Sequence, residues 1–282
     1  MVLAGALLAA ISASAPLSPH SSAQAAGLPA KLAAIYQLRF AGITLGDFKV
    51  WSSIGKDGYS VQGDGKITFL TGLIFEVEGN SRSTGTVSGS RPVPDNFSFS
   101  FKTRKKKGYL AMTFSNGAVE KVASQPPLRT HPKAVPVTPK HVRGALDPMT
   151  ALFLAAHASK PGNHASVCNR VLPVYDGKYR FDLKLIHKRT VRVVKKGKNG
   201  YAGPAVICQV KFIPVAGHRP HASNIAFMSN TDGIEVWLMP IPQGDMYVPY
   251  HISVPTPYGT AQATARSFNV ETAARQHFAL VQ

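Results

Sequence analysis

Apolar and polar residues alternate with a period of two through most of this chain. The stretch Asn-Phe-Ser-Phe-Ser-Phe places Phe97, Phe99 and Phe101 on one side and serines on the other. A basic turn then leads into residues 109–114, Tyr-Leu-Ala-Met-Thr-Phe, where the alternation resumes. Strict alternation indicates strands with one buried and one solvated face, which is typical of antiparallel sheets. The two stretches together predict a β-hairpin.

The second half of the chain has the same pattern. In Tyr-Arg-Phe-Asp-Leu-Lys-Leu, the alternation predicts that Phe181, Leu183 and Leu185 face the core. The same alternation predicts that Arg180 points toward solvent. Prolines interrupt the apolar patterns in residues 240–257, which favours edge strands there because proline cannot donate to a sheet ladder. We therefore predict a mainly β fold, in which a curved antiparallel sheet forms an open, β-spiral-like barrel.

One stretch, Gly-Ala-Leu-Asp-Pro-Met-Thr-Ala-Leu-Phe-Leu-Ala-Ala-His, departs from this alternation. Asp147 is a suitable N-cap, and the proline after it occupies the first helical position. Met149, Leu152 and Phe153 recur at helical spacing, and little polar face remains. We predict one central α-helix at 147–157 that is covered on more than one side. It is either a core helix that closes one end of the sheet, or a plug on the concave side beside a cavity for an apolar ligand.

A proline-rich segment, residues 125–140, separates the two β-rich halves. Its five prolines exclude it from a regular ladder and favour an extended conformation. We interpret it as a strap that leads into the helix, within a single β domain at 26–282. A flexible linker between independent domains is the alternative.

The first 25 residues predict a cleaved signal peptide. An apolar run at Val2–Ile11 is followed by small residues and by Ala23-Gln24-Ala25, an A-x-A cleavage pattern. Prolines interrupt the apolar stretch before it reaches the ~20 residues that a membrane-spanning helix needs. We therefore expect a periplasmic protein with no transmembrane span in its mature form.

The charge balance is strongly basic, with 32 Lys and Arg against 14 Asp and Glu, a net charge of +18. In the cytosol such a charge would favour nucleic acid, but export excludes that partner. The expected partner is then an anionic envelope component, namely a lipid headgroup, lipopolysaccharide or the cell wall, or else an envelope protein. A basic surface that only keeps the protein soluble is the alternative.

Basic residues cluster at two predicted hairpin tips. One tip contains Arg104, Lys105, Lys106 and Lys107, and the other contains Lys195, Lys196 and Lys198. Two such tips on one side of the molecule would form an anion-facing rim. Polar turns that protect sheet edges from aggregation are the alternative interpretation.

The two cysteines, Cys168 and Cys208, are expected to form a disulfide, because an exported protein meets an oxidising compartment. The bond would close a loop of about 40 residues and contribute roughly 4 kcal/mol in the chain-entropy model.

Catalytic motifs are not visible. The sequence has no G-x-S-x-G elbow, no H-E-x-x-H and no Walker loop. His218 and His221 have a spacing that could hold a metal, but no third ligand is apparent. We therefore expect no catalytic residue, no metal and no cofactor, and a protein that is not an enzyme. An unrecognised hydrolase is the least favoured alternative.

Several phrases carry a family resemblance. Tyr-Asp-Gly-Lys-Tyr-Arg-Phe-Asp-Leu, Tyr-Gln-Leu-Arg-Phe-Ala-Gly-Ile-Thr-Leu-Gly-Asp-Phe and Leu-Asp-Pro-Met-Thr-Ala-Leu-Phe resemble an exported alphaproteobacterial family that carries domain of unknown function 3108. The expected architecture is also similar to periplasmic envelope-integrity proteins with a spiralled β-sheet and a disulfide. It is similar, too, to lipoprotein carriers whose open barrel is lidded by apolar helices. The resemblance implies an envelope protein and not an enzyme.

These observations favour a non-enzymatic periplasmic cell-envelope protein. Its concave face would bind an acyl chain, or a lipidated or peptide partner. The alternative is a structural or protein-interaction module without a ligand cavity. A cavity beside the helix would separate the two hypotheses.

Overall fold

Strands make up most of the structure, a computed structural model that describes residues 29–55, 58–70, 74–88, 91–153, 164–194, 201–241, 246–272 and 277–281. The strands are β1 (Pro29–Phe40), β2 (Ile43–Ile54), β3 (Tyr59–Leu70), β4 (Ile74–Ser88), β5 (Arg91–Thr103), β6 (Lys107–Ser115), β7 (Ala118–Gln125), β8 (Arg170–Tyr175), β9 (Arg180–Val193), β10 (Gly203–Ala216), β11 (Glu235–Pro240), β12 (Tyr247–Thr256), β13 (Gly259–Thr272) and β14 (His277–Val281). The helices are α1 (Pro139–Val142), α2 (Pro148–Phe153), α3 (Ser223–Asn230) and a 3-10 helix (His164–Cys168). None of the helices in these residues is long and apolar enough to cross a membrane.

All the described strands belong to one antiparallel sheet. Its order is β7-β6-β5-β4-β3-β2-β1-β13-β12-β11-β10-β9-β8, with β14 paired to β13. The two halves of the chain therefore join at β1 and β13, and β7 and β8 lie at the two ends. The turn after β8 lies against β6. Its Gly177 is next to Leu110 of β6, since a Cβ added to Gly177 would lie 2.5 Å from Leu110 Cδ1. The sheet thus curves until its ends approach each other, which confirms the predicted open barrel.

The chain between β7 and β8 joins the two ends of the sheet. The Gly144 N–H donates to the Gly117 carbonyl, at 2.6 Å, in the turn between β6 and β7. The Leu146 N–H donates to the Pro173 carbonyl on β8 at 2.7 Å, and the Leu146 carbonyl accepts from the Tyr175 N–H at 2.9 Å. The proline-rich segment 125–140 thus runs from the end of β7 to α1, which begins at Pro139, and the residues after α1 form a short seam between β7 and β8.

The structure corrects the predicted direction of the Arg180 side chain. It is 9% exposed, so the prediction that it points to solvent was wrong. Its Nε donates to the His141 carbonyl at 2.9 Å, and its Nη1 lies 2.6 Å from Asp182 Oδ1. The side chain is buried because it holds α1 against β9 while its charge stays paired.

The prolines of β12 correct a second prediction. β12 lies between β11 and β13, inside the sheet, so these prolines do not mark an edge strand. Pro249 pairs with Leu238 of β11 but lies outside the pairing of β12 with β13, which begins at His251, so its missing N–H breaks no hydrogen bond to β13. The Pro249 carbonyl also accepts a hydrogen bond from Tyr36 Oη at 2.7 Å.

The predicted helix is present as α2 and begins where the sequence indicated. Asp147 Oδ1 accepts hydrogen bonds from the Met149 and Thr150 N–H groups, both at 3.0 Å, as an N-cap does. Positions 154–157 of the predicted helix lie outside the described residues. α2 packs on the inner face of the sheet, in contact with β3, β4, β8 and β12. It therefore lies between the two halves of the barrel.

Candidate functional site

One side of α2 is packed tightly against the first half of the sheet. Phe153 is 2% exposed, and its ring meets the Tyr36 ring edge-on with centroids 5.9 Å apart. Met149 occupies the space above Gly63, where an added Cβ would lie 3.1 Å from Met149 Cε. The glycine therefore makes room for the helix. Both helix side chains belong to the main core.

A buried polar network anchors the same side of the helix. Asp147 Oδ2 accepts hydrogen bonds from Ser83 Oγ at 2.8 Å and from Thr150 Oγ1 at 2.6 Å. Thr150 Oγ1 also lies 2.9 Å from Ser83 Oγ and 2.8 Å from Tyr59 Oη. Desolvation raises the pKa of Asp147, although the hydrogen bonds from Thr150, Ser83 and the backbone oppose this shift. Burial also raises the pKa of Tyr59.

The serine and the carboxylate in this network resemble a catalytic pair in composition only. Ser83, Asp147 and Thr150 are each 0% exposed, and none of them lines a cavity described below. A nucleophile must be reachable by substrate, so this arrangement acts as an anchor between α2 and β4. Nothing in the sequence signalled the partnership, because Ser83 lies in an ordinary alternating strand.

The other side of α2 faces a partly open cavity of about 380 Å³, here called the apolar cavity. The helix contributes Pro148, Ala151 and Leu152 to its wall. Strands β8 to β12 contribute apolar side chains of their inner face, namely Leu172, Val174, Phe181, Leu183, Leu185, Val210, Phe212, Val236, Leu238, Pro249, Ile252 and Val254. Met228 of α3, Ile234 and Glu235 complete the lining.

Among the described residues that line the apolar cavity, one is charged, and it is Glu235. Its Oε1 lies 2.5 Å from Lys188 Nζ, and its Oε2 accepts from Trp237 Nε1 at 3.2 Å. The hydrogen bond from Lys188 holds the pKa of the carboxyl below its usual value. Its charge is therefore compensated within the protein, and the cavity offers a ligand mostly apolar contact.

The three residues that helical spacing had singled out lie on two different sides of α2. Leu152, 37% exposed, lines the apolar cavity, whereas Met149 and Phe153 pack in the main core. Alternation had assigned Phe181 and Leu183 to the inner face, and they form part of the cavity wall. The pattern indicated their direction. It could not show that the space in front of them stays empty.

The predicted basic rim is only partly described. Arg104, Lys105, Lys106 and Lys107 are exposed at the turn between β5 and β6. Lys107 lines a separate open groove across the polar face of β2 to β6, and none of the four lines the apolar cavity. Lys195, Lys196 and Lys198 lie outside the described residues. The proximity of the two tips therefore stays a prediction.

The predicted disulfide between Cys168 and Cys208 is confirmed, with Cα atoms 5.4 Å apart. Both cysteines are fully buried in a cluster with Leu185 and Val210, which also line the apolar cavity. The bond therefore ties the 3-10 helix to β10 beside the cavity, on the same face of the strand as Val210. Within the described part of the chain, no group of three or more His, Cys, Asp or Glu side chains is arranged to hold a metal ion.

Comparisons with known proteins identify a family without an assigned function. Among solved structures, the chain is similar to the crystal structure of a beta-barrel-like protein of domain of unknown function DUF1849 from Brucella abortus, with 10% sequence identity and a TM-score of 0.48. That match covers 86% of this chain and 98% of the other. No curated protein matches the sequence. The model of a family described as protein of unknown function (DUF3108) matches residues 35–266, which confirms the resemblance seen in the sequence, and the chain belongs to this family.

Proposed function

We propose that this protein is a non-enzymatic, periplasmic cell-envelope protein that binds an acyl chain in the apolar cavity beside α2. The observation that carries the proposal is the cavity itself, about 380 Å³ with an almost entirely apolar wall. Small-molecule sites commonly measure about 300–1,000 Å³ and are mostly apolar. The helix residue that faces it, Leu152, is 37% exposed even though the rest of α2 is well packed.

The chemistry of the wall favours an acyl chain over a peptide. A peptide segment brings backbone N–H and C=O groups, and each costs free energy when it is buried without a partner. The cavity wall consists of aliphatic and aromatic side chains, and its one described carboxylate already pairs with Lys188. A hydrocarbon chain needs no such partners and gains about 25 cal/mol for each Å² of apolar surface it covers.

Two further features support an envelope location. The first 25 residues predict a signal peptide, and the Cys168–Cys208 bond suits an oxidising compartment. The net charge of +18 suits a surface rich in anionic lipid or polymer, and the exposed tip Arg104–Lys107 is the basic cluster that would meet it.

The test fills the cavity and measures binding. Leu152→Trp places a large ring at the cavity wall, and Leu128→Trp is a matched control because Leu128 is 40% exposed in the strap and lines no described cavity. The probe is N-phenyl-1-naphthylamine, a neutral fluorophore, with displacement by hexadecanol. Leu152→Trp should weaken probe binding by at least about tenfold, which corresponds to about 1.4 kcal/mol. Leu128→Trp should leave it unchanged.

Native mass spectrometry of protein purified from its own periplasm gives an independent readout, since a retained lipid adds mass. If wild-type protein binds no probe saturably and carries no added mass, the acyl-chain proposal is wrong. A structural or interaction module would then be the better description. Equal loss of binding in the Leu152→Trp and Leu128→Trp proteins would place the probe elsewhere on the molecule.

A further inference from the structure

A second cavity, of about 580 Å³, lies at the seam where the two ends of the sheet approach each other. Its wall comes from the start of β5 at Arg91–Pro94, from Gly117, from Gly144–Leu146 and from β8 at Arg170–Pro173. We call it the seam cavity. The segment before α2 holds both of its sides, because Gly144 bonds to Gly117 and Leu146 bonds to β8.

The seam cavity adjoins the apolar cavity. Leu172 lines both. Leu146, in the seam wall, packs in one small cluster with Ala151 and Val174, which line the apolar cavity. Arg170 lies two residues before Leu172 on β8, so strand geometry puts the two side chains on the same face. An elongated ligand in the apolar cavity would therefore have its end near Arg170.

The two cavities differ in charge. The charged side chains among the described residues of the seam wall are Arg91 and Arg170, both cations. Arg91 is exposed and Arg170 is partly buried, so the two guanidinium groups lie at different depths in the seam wall. A guanidinium presents its donors in a planar fork that matches a carboxylate or a phosphate.

We infer that the acyl ligand carries an anionic head, a carboxylate or a phosphate, and that this head binds in the seam cavity against Arg170 and Arg91 while the chain occupies the apolar cavity. The inference rests on the proposed function and adds the class of ligand. The net charge alone would place the anion at any basic surface, including the tip Arg104–Lys107. The seam differs because it is a cavity, it contains arginines, and it adjoins the apolar wall.

The experiment compares three ligands with the same chain, namely hexadecanol, palmitate and hexadecyl phosphate, each below its aggregation concentration. They displace N-phenyl-1-naphthylamine from the full-length mature protein. Wild-type protein should bind at least one anion about tenfold more tightly than the alcohol. Preference for palmitate would indicate a fatty acid as the natural source, and preference for hexadecyl phosphate would indicate a phospholipid.

Arg170→Gln should remove the preference for the anion and leave hexadecanol affinity unchanged. Arg82→Gln is the matched control, because Arg82 lies on the polar side of β4 and lines no described cavity. It should keep the preference. Thermal unfolding checks that each variant is folded. If Arg170→Gln does not fold, Arg91→Gln replaces it, and it should reduce the preference by a smaller factor because Arg91 is more exposed.

Three outcomes would overturn the inference. Wild-type protein could bind the alcohol and the anions equally, or the preference could survive in the folded Arg170→Gln and Arg91→Gln proteins. The preference could also disappear only when Arg104, Lys105, Lys106 and Lys107 are changed to Ser, which would place the anion at the hairpin tip. In each of these cases hexadecanol still binds, so the acyl-chain proposal survives. Failure of all three ligands to bind would instead reject both.

Discussion

The two sides of α2 differ in how they meet the sheet. Toward β3 and β4, Met149 and Phe153 fill the space, and four polar groups centred on Asp147 satisfy each other. Toward β8 to β12, Leu152 and Ala151 face a cavity of about 380 Å³. One short helix thus has a packed side and an unfilled side. Close packing is the rule in protein interiors, so the unfilled side favours a ligand site.

The difference teaches that the helix can keep its position although part of its cavity side is unfilled. The Asp147 network and the packing of Phe153 against Tyr36 fix it to the first half of the sheet. The seam fixes its start, because Leu146 bonds to β8. The second half of the sheet can then present an apolar wall at a distance. Four variants test this asymmetry.

The largest expected effect is on the packed side. Phe153→Ala should lower the free energy of unfolding by about 3–5 kcal/mol, because it removes a ring from a filled core and leaves a void. Urea unfolding measures the loss. A loss below about 1 kcal/mol would mean that Phe153 faces space and that the two sides of α2 are alike.

The disulfide should have the next largest effect. Replacing Cys168 and Cys208 with Ala should cost about 2–4 kcal/mol, since the bond closes a loop with a sequence separation of 40 residues. Thermal unfolding with and without reductant measures it, and reductant should have no effect on the double variant. Because the bond packs against Leu185 and Val210 of the cavity wall, affinity for hexadecanol should fall as well. Two titratable thiols in denatured, non-reduced wild-type protein would contradict the pairing.

Asp147→Asn should cost about 1–2 kcal/mol, because Asn retains the cap but cannot replace every hydrogen bond that the carboxyl group makes. The cost should depend on pH. Burial raises the folded-state pKa of Asp147 above the unfolded value of about 3.9, so between these two pKa values the folded state binds more protons than the unfolded state. Wild-type stability from this group is therefore largest at acid pH and is lost as the pH rises through the folded pKa.

Urea unfolding of the wild-type and Asp147→Asn proteins at a series of pH values, from acid upward, isolates the contribution of Asp147, because the other carboxylates are common to both proteins. The cost of the substitution should shrink as the pH rises. A cost that grows with pH would mean that the hydrogen bonds from Ser83 and Thr150 outweigh desolvation.

Local features of the fold could be predicted from the sequence. Alternation identified the strands around Phe97 and Phe181, and Asp147 marked the start of α2. The single pair of cysteines predicted the disulfide. Each of these signals lies within a few residues or needs no geometry, so no knowledge of the tertiary arrangement was required.

The remaining features depend on contacts between distant strands. α3 was not predicted, because no residue of it is buried and it lacks an apolar stripe. Pro249 was assigned to an edge, since the sequence cannot show that β12 lies inside the sheet and pairs with β13 only from His251 onward. Arg180 follows an outward pattern, yet it is buried against the His141 carbonyl, 39 positions earlier in the chain. The cavity could be stated only as one of two alternatives, because an empty volume has no sequence pattern.

Leu152→Ala should have the smallest effect on stability and gives the sharpest contrast with Phe153→Ala. Both substitutions remove a large side chain from neighbouring positions of α2. Leu152 is 37% exposed and already borders empty space, so its loss should cost about 1 kcal/mol or less. Affinity for hexadecanol should nevertheless fall, because part of the cavity wall recedes from the chain. Phe153→Ala, at a temperature where it stays folded, should retain its affinity. If Leu152→Ala proved as destabilising as Phe153→Ala, the cavity side of the helix would be part of the packed core.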